Sequence, residues 1–424
     1  MLSRLKNLVP TTPKSSALKG QTILALDIGT TNVKAVMVEI ADSRISVIGV
    51  GRQEQDLADM AAGAIADIQA VVANCNKALS AAEEQAGLRA ERVVIGIAGE
   101  LIKGITDTVT IDRPEATKPI SEPEFDEFVK EAQSRAHGQA KHEVTLELSG
   151  RSTELRLINS ALVSVEVDGY KVTNPIGFQG STADVQLYTA FAPLVHIGAI
   201  EQVAGHLDLD ILAVAAEPFA VARAIIGDDP SVSKNAILID IGGGTTDIAV
   251  VRDGGLEGTR MFGIGGRAFT NSIARDMNVS FDQAEFKKIT LSEDVSGDET
   301  SDIEAALKKT LEVWIQGVQL ALSEFDWLDY LPHQIMLCGG GSGLELLQEK
   351  LAGETWQKDL PFSKMVQVRT IDVRDVRDTR DRTDSVRDHT MITVLGLARV
   401  AADTVSMQPD GSQIVEKISK VVKK

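Results

Sequence analysis

A turn that combines an aspartate, a glycine, two threonines and a lysine follows the first apolar strand of the sequence. Residues 27–34 read Asp-Ile-Gly-Thr-Thr-Asn-Val-Lys. Small residues let the backbone approach a ligand, and converging N–H groups bind phosphate oxygens. Lys34 adds a point charge for a β- or γ-phosphate, and Asp27 can hold a hydrated Mg2+ ion. The same residues also fit an ordinary tight hairpin. The candidate ligand contacts of this turn are Gly29, Thr30, Thr31, Asn32 and Lys34.

A second turn repeats this pattern at residues 240–247, which read Asp-Ile-Gly-Gly-Gly-Thr-Thr-Asp. Three consecutive glycines are costly to order, so a purely structural hairpin rarely needs them. Two such turns facing each other would clamp a triphosphate and its metal from both sides. We therefore predict metal binding by Asp27, Asp240 and Asp247. The candidate phosphate contacts are Gly242, Gly243, Gly244, Thr245 and Thr246.

A third glycine cluster lies between the apolar residues 335–337 and a predicted helix over residues 344–351. The amino terminus of a helix with bare backbone suits a ribose or an α-phosphate. A single glycine cluster of this kind is weak evidence for a nucleotide site. As the third glycine-rich element, after the two turns, it supports such a site. The candidate contacts are Gly339, Gly340, Gly341 and Ser342.

The strand–turn–strand unit of residues 23–40 recurs at residues 236–251. This internal repeat predicts a two-lobed α/β fold in which each lobe offers one turn to a shared ligand. Residues 106–188 differ in character and predict a small α+β subdomain inserted in the first lobe. The predicted segments are a tether (1–20), the first lobe (21–105, 189–232 and 388–405), the insertion (106–188), the second lobe (233–387), and a linker with an amphipathic tail (406–424).

Hydrophobic periodicity predicts the remaining elements. The predicted helices cover residues 60–84, 122–136, 196–207, 218–226 and 301–325. Short strands are predicted at residues 93–98, 144–148, 154–158, 163–167, 184–192 and 211–215. The charged residues 369–389 predict an exposed loop or an edge hairpin, and a last helix is predicted to begin near residue 390.

Composition narrows the class of protein. The chain has 424 residues, 43% hydrophobic and 25% charged, and a formal net charge of −18, which argues against nucleic acid as the main partner. Two cysteines without metal-ligand spacing fit a reducing compartment. No apolar run of about 18 residues predicts a membrane span, and the amino terminus does not fit a secretory signal. We expect a cytoplasmic protein, or one peripheral on the inner face of the cell membrane.

The three glycine clusters resemble the two phosphate loops and the adenosine loop of the actin superfamily. The chain is most similar to the FtsA family of bacterial division proteins, through the residues 94–100 (Val-Ile-Gly-Ile-Ala-Gly-Glu) and 174–180 (Asn-Pro-Ile-Gly-Phe-Gln-Gly). This resemblance implies an actin-like ATPase fold with duplicated ribonuclease-H-like cores. It covers residues 20–290 well and residues 330–400 in part. The charged residues 369–389 and the acidic residues 292–304 of the second lobe depart from the family pattern.

The resemblance also implies roles for particular residues. Gly265 and Gly266 match the family's Gly-Gly loop, and the Ala-Glu-x-x-Lys motif assigns adenosine contacts to Glu285 and Lys288. Glu217 lies where relatives place a helix near the attacking water, so Glu217 and Asp240 are the candidate catalytic residues. The implied cofactors are ATP and Mg2+, with hydrolysis slow or vestigial. The implied partners are the tubulin-like division protein FtsZ, copies of the chain itself and the cytoplasmic membrane.

The resemblance implies a membrane-binding helix at the carboxyl end. One face of residues 414–422 carries Ile414, Val415, Ile418, Val421 and Val422, with lysines elsewhere. The segment is short and lacks aromatic anchors, so a partner-bound helix or a frayed tail are alternatives. The basic amphipathic residues 2–9 offer a second candidate anchor.

Three other classes remain as alternatives. A PilM-like pilus-assembly protein would share the architecture and dock a peptide instead of a membrane. A chaperone ATPase would need a substrate-binding β domain, which does not follow in this sequence. A sugar kinase would need a substrate base, and no motif for one is recognisable.

Overall fold

The repeated strand–turn–strand units form the centres of two separate sheets in the computed structural model, which describes residues 21–226, 234–291 and 298–406. The predicted tether and the predicted amphipathic tail lie outside these residues. The first sheet has the strand order β11-β6-β1-β2-β3-β17. Its strands are β1 (Gln21–Ile28), β2 (Asn32–Ala41), β3 (Arg44–Glu54), β6 (Arg92–Ile97), β11 (Asp210–Ala216) and β17 (Thr379–Asp381).

The second sheet joins the second unit to the predicted insertion. Its strand order is β16-β15-β12-β13-β14-β7-β10-β8-β9. The strands are β7 (Lys103–Asp112), β8 (Leu155–Val167), β9 (Tyr170–Val172), β10 (Thr182–Pro193), β12 (Ala236–Ile241), β13 (Thr246–Arg252), β14 (Gly255–Phe262), β15 (Gln334–Cys338) and β16 (Gln367–Thr370). Only two residue pairs, Gly258 with Ile105 and Thr259 with Gly104, join β14 to β7.

Helices cover both sheets in the described residues. They are α1 (Ile68–Ala86), α2 (Glu122–Glu147), α3 (Leu194–His206), α4 (Glu217–Ile226), α5 (Gly266–Met277), α6 (Phe281–Ile289), α7 (Asp298–Ser323), α8 (Glu345–Ala352) and α9 (Ile392–Ser406). Among the residues that the structure describes, no helix combines the length and the apolar character that a membrane span needs.

Aliphatic side chains build the core of each lobe, as the low aromatic content requires. In the first lobe, α1 lies so close to β3 that a Cβ at Gly51 would overlap the carbonyl oxygen of Ala78. In the second, Trp314 of α7 is fully buried, and its indole N–H donates to Thr246 Oγ1 at 2.9 Å. Close packing of this kind holds the ends of the central strands, and therefore the two turns, in fixed positions.

The predicted helix over residues 60–84 is wrong in its first part. A two-stranded hairpin, β4 (Met60–Ala61) and β5 (Ala64–Ile65), precedes the helix, with Gly63 at a φ of 81°. The helix begins only at Ile68, where Asp67 accepts hydrogen bonds from the N–H groups of Gln69 and Ala70. Capping by Asp67 therefore fixes the start of α1.

Three further local predictions need correction. The predicted strand over residues 144–148 is helical, because Ala136, Ala140 and Val144 repeat every four residues and bury one face of α2. The two short strands at residues 154–158 and 163–167 are parts of the single strand β8. The charged residues 369–389 form no hairpin, since β16 belongs to the second sheet and β17 pairs in parallel with β3 of the first.

Candidate functional site

The two predicted turns face each other across a cleft between the lobes. A Cβ at Gly243 would overlap Thr31 Oγ1, and a Cβ at Gly244 would lie 2.8 Å from Thr30 Oγ1. The glycines of the second turn are therefore required by the close approach of the first turn. This contact between turns about two hundred residues apart in the chain is what the internal repeat predicted.

The second turn rests on the amino terminus of α5. The N–H of Gly266 donates to the carbonyl oxygen of Gly242 at 2.8 Å, and the N–H of Arg267 donates to that of Gly243 at 2.8 Å. Gly265 packs tightly here, because a Cβ would lie 2.6 Å from the carbonyl oxygen of Gly242. The Gly-Gly loop thus holds the second turn in position through backbone hydrogen bonds.

Four acidic side chains and one lysine are buried at the bottom of the cleft. Lys34 Nζ lies 2.8 Å from Asp27 Oδ2, and the two side chains are 13% and 4% exposed. Burial alone would lower the pKa of Lys34, but the neighbouring carboxylates, Asp27 first, raise it overall. The lysine therefore remains charged at neutral pH and offsets part of the acidic charge.

The other three carboxyls, Glu217, Asp240 and Asp247, hold their protons more tightly than usual. Burial raises the pKa of Glu217 well above its ordinary value, and repulsion from the neighbouring aspartates raises it further. Burial and the charge of Asp240 do the same for the pKa of Asp247. Burial also raises the pKa of Asp240. Such a cluster favours a bound cation, because a cation relieves the repulsion.

Asp240 is held by groups from the far end of the chain. Thr393, at the start of α9, donates its hydroxyl proton to Asp240 Oδ2. Gly339, with a φ of 78°, lies against the same strand end, and a Cβ there would overlap Asp240 Oδ1. The N–H of Gly339 donates to the carbonyl oxygen of His389 at 3.2 Å. The third glycine cluster and α9 together therefore close the cleft around this carboxylate.

The Ala-Glu-x-x-Lys motif lies on α6 at the wall of the cleft. Lys288 Nζ donates to Glu285 Oε2 at 2.7 Å and to Thr270 Oγ1 at 2.7 Å. Burial lowers the pKa of Lys288, and the charge of Glu285 opposes this effect. Both residues line the cleft together with the two glycine- and threonine-rich turns.

The cleft has a volume of about 1030 Å³, which is large enough for a nucleotide. Most of the predicted contacts line it, namely Asp27, Gly29, Thr30, Thr31, Asn32, Lys34, Glu217, Asp240, Gly242, Gly243, Thr245, Asp247, Gly266, Glu285, Lys288, Gly339, Gly340 and Gly341.

Four predicted contacts, Gly244, Thr246, Gly265 and Ser342, are not on the wall of the cleft. Thr246 is fully buried, and its hydroxyl donates to the carbonyl oxygen of Ile264 at 2.6 Å. Ser342 donates to the carbonyl oxygen of Gly339 at 2.8 Å. These two hydroxyls therefore stabilise the second turn and the third glycine cluster through hydrogen bonds to the backbone.

Sequence reasoning assigned no role to Gln55, Arg267, His389 or Thr393, all of which line the cleft. Gln55 Nε2 donates to the carbonyl oxygen of Gly29 at 2.7 Å. The only available signal was for Arg267, which follows the Gly-Gly pair. Gln55 follows β3 and Thr393 lies on α9, and only the packing of the folded chain brings these two residues to the cleft.

The residues present fit a magnesium ion that keeps most of its water. Within the described ranges, no three acidic, histidine or cysteine side chains converge as a dedicated metal cage. Two oxygens that line the cleft, Asp247 Oδ1 and Gln55 Oε1, are buried without a hydrogen-bond partner. Mg2+ usually takes one or two carboxylates and several waters, which matches this donor set.

Sequence comparison shows which known proteins this chain resembles. A family model described as cell division protein FtsA matches residues 237–422. The cell division protein FtsA of Pseudomonas aeruginosa is 24% identical, over 94% of this chain and 94% of that protein. This chain is similar to the FtsA proteins. FtsA of Enterococcus hirae is 27% identical, over 76% of this chain and 73% of that protein. The resemblance predicted from the motifs is confirmed, and the relatives support a cell-division protein of the actin-like class.

Comparison with a solved structure gives the fold of this chain independently. The PilM-PilN type IV pilus biogenesis complex contains a chain with a TM-score of 0.65 and 18% identity, covering 90% of this chain and 98% of that one. At this identity the likeness shows the fold alone. The predicted two-lobed actin-like α/β fold is therefore confirmed, and the sequence relatives favour the FtsA interpretation over the PilM-like alternative.

Proposed function

We propose that the chain binds ATP with Mg2+ in the interlobe cleft and acts as an actin-like cell-division protein. The observation that carries this proposal is the contact between the two glycine- and threonine-rich turns, each next to a strand-end aspartate. Their backbone N–H groups and hydroxyls would bind the β- and γ-phosphates from both lobes. Lys34 would neutralise phosphate charge from the first lobe.

The other side of the cleft would hold the nucleoside. Glu285, Lys288 and the third glycine cluster, with Gly340 and Gly341, all line the cleft. Gly340 has open space where a Cβ would stand, so the backbone is accessible to a sugar. A bound Mg2+ would supply positive charge next to the phosphates. Asp247, Asp240 and Asp27 would hold its waters.

Turnover in this site would be slow. Glu217 is 8% exposed, and its raised pKa favours the neutral acid at the start of α4. Bound Mg2+ would lower that pKa, so Glu217 can position a water in the loaded site. The nucleotide would thus act mainly by holding the lobes at a defined angle.

The cell-division role follows the relatives. We propose that nucleotide-bound copies polymerise and connect the tubulin-like division ring to the inner face of the cytoplasmic membrane. The apolar face of residues 414–422 would contact lipid, with the flanking lysines near anionic headgroups. Because one short helix binds weakly, several tails on one filament would add by avidity.

Nucleotide binding is tested by equilibrium titration of the full chain with ATP, ADP and GTP, with and without Mg2+. We expect saturable binding of ATP that weakens when Mg2+ is removed and when Asp247 is changed to Asn. Equal binding of all nucleotides by wild type and by Asp247→Asn, or no binding at all, would contradict the proposal.

Tethering is tested by co-sedimentation with anionic liposomes in Mg-ATP. Wild type should pellet, and deletion of residues 412–424 should abolish pelleting. Ile418→Glu places a charge on the apolar face, whereas Gln413→Glu adds the same charge on the opposite face. Loss of pelleting in the first variant alone would support the tether. Wild-type protein that stays in the supernatant would sink the membrane role and favour the PilM-like alternative.

A further inference from the structure

Arg267, the second residue of α5, extends from the second lobe to the backbone of the first lobe. Its terminal nitrogens donate to the carbonyl oxygens of Thr30 at 2.7 Å, Leu57 at 3.3 Å and Gln55 at 3.4 Å. Thr30 belongs to the first phosphate turn, and the other two residues follow β3. One side chain therefore contacts three separate carbonyl groups across the cleft.

The backbone of the same residue holds the second turn. The N–H of Arg267 donates to the carbonyl oxygen of Gly243 at 2.8 Å, so its main chain and its side chain bond to opposite turns. Gln55 extends this connection, since its N–H donates to Thr31 at 2.9 Å and its side chain donates to Gly29. The relative position of the two turns thus depends on Arg267.

The chemistry of the contact suits arginine in particular. A guanidinium presents five N–H donors in a rigid planar fork, whereas a lysine ammonium is a compact point charge on a flexible stem. Carbonyl oxygens carry no net charge, so the contact depends on geometry more than on charge. A lysine at this position would reach one of these carbonyls at a time.

We propose that Arg267 is an interlobe latch, a positioning residue that holds the two phosphate turns together and slows the release of nucleotide. The proposal rests on the proposed nucleotide site for its effect on binding. Its effect on the lobes themselves exists without any ligand. Opening of the cleft would break the three side-chain hydrogen bonds, while the backbone bond to Gly243 stays within the second lobe.

The kinetic test follows release of a fluorescent ATP analogue, with Mg2+, from the full chain. Arg267→Ala should release it about tenfold faster, because roughly 1.4 kcal/mol of lost hydrogen bonding corresponds to that factor. Arg267→Lys should remain fast, since charge without the fork does not restore the contacts. Arg275→Ala is the matched control, because Arg275 is exposed on the same helix and bonds to Asp276. Wild-type release by Arg267→Ala, or full restoration by lysine, would overturn the latch.

A second measurement needs no nucleotide. Spin labels on cysteines introduced at Ser80 of α1 and Asn271 of α5, both exposed, report the distance between the lobes, and the native Cys75 and Cys338 are buried. The distance distribution should broaden in Arg267→Ala and Arg267→Lys and stay unchanged in Arg275→Ala. An unchanged distribution in both Arg267 variants would refute the latch. A wild-type chain that binds no nucleotide would refute the proposed function alone and leave this distance test valid.

Discussion

Lys34 Nζ lies 2.8 Å from Asp27 Oδ2, so a buried ion pair joins the two ends of the first phosphate turn. The two residues are direct partners in the antiparallel register of β1 and β2. The carboxylates of Asp240 and Glu217 act on the same ammonium group from the second turn and from α4. The charge balance of the whole cleft therefore depends on Lys34.

Replacing Lys34 with alanine should destabilise the protein by about 3 kcal/mol, because Asp27 is left buried without its partner. The same variant should lose ATP affinity. Urea unfolding at pH 7.5 measures the first effect. Lys103→Ala is the control, since Lys103 pairs with the half-exposed Glu147 and such pairs contribute less than about 1 kcal/mol. Equal losses in the two variants would contradict a buried ion pair.

The stability of the ligand-free protein should fall as pH rises through the raised pKa of Asp247. The folded state holds a proton there that the unfolded chain has already released, so the free energy of unfolding decreases from the ordinary carboxyl pKa up to the raised one. Asp247→Asn should reduce this slope by the share of one proton, which is at most about 1.4 kcal/mol per pH unit, while the raised pKa values of Glu217 and Asp240 keep the rest. Urea titrations between pH 4 and pH 8 measure it.

Asp168→Asn provides a control of opposite sign. Hydrogen bonds from the backbone of Thr182 and Ser181 lower the pKa of Asp168. Its contribution is therefore present at neutral pH and lost as pH falls through the lowered pKa. The free energy of unfolding of Asp168→Asn should approach that of wild type as the pH falls. The free energy of unfolding of Asp247→Asn should rise relative to that of wild type as the pH rises. The same trend in both variants would refute the assignment.

Thr393→Val should lower stability at pH 7.5 by about 1–3 kcal/mol, because the buried Asp240 loses a hydroxyl donor. The pKa of Asp240 should rise further, so Mg2+-dependent nucleotide affinity should fall as well. Thr393→Ser keeps the hydroxyl and should retain most of both properties. Calorimetric titration and urea unfolding of the three proteins measure the effects. A serine variant as weak as valine would show that the methyl group, and not the hydroxyl, matters.

Gly339→Ala should destabilise the protein by about 2 kcal/mol or more, because a Cβ at a φ of 78° would be strained and would overlap Asp240 Oδ1. Gly340→Ala is a neighbouring control for stability, since open space surrounds its Cβ position. Thermal unfolding of both variants separates the two positions. Similar melting temperatures would argue against the close approach of the third glycine cluster to Asp240.

Glu217→Gln should leave ATP binding intact and reduce single-turnover hydrolysis by about a hundredfold, as expected for loss of a positioned base. The amide keeps the size of the buried side chain, so stability should change little. Rapid quenching of radiolabelled Mg-ATP measures the chemical step. Hydrolysis at the wild-type rate would exclude Glu217 from any catalytic role.

Local patterns predicted the central strands, both glycine- and threonine-rich turns and most of the residues that line the cleft. Asp27 and Asp240 each end an apolar strand and precede glycine and threonine, which is information contained within eight residues. Hydrophobic periodicity failed where a capping residue sets the start of a helix. Asp67 caps α1, and the alanine-rich pattern gave no sign of the hairpin that precedes it. It failed again where a strand joins a distant sheet edge, as β17 does beside β3.

The sequence by itself determined which residues the proposed nucleotide site can use, because turns that bind phosphate need particular residue types at fixed short spacing. The tertiary structure decided how those residues work together. Thr393 meets Asp240 across 153 positions of the chain, and Arg267 meets Thr30 across 237. Contacts at such separations depend on how helices and sheets pack, and packing depends on the summed shapes of many buried side chains. No local pattern therefore records them.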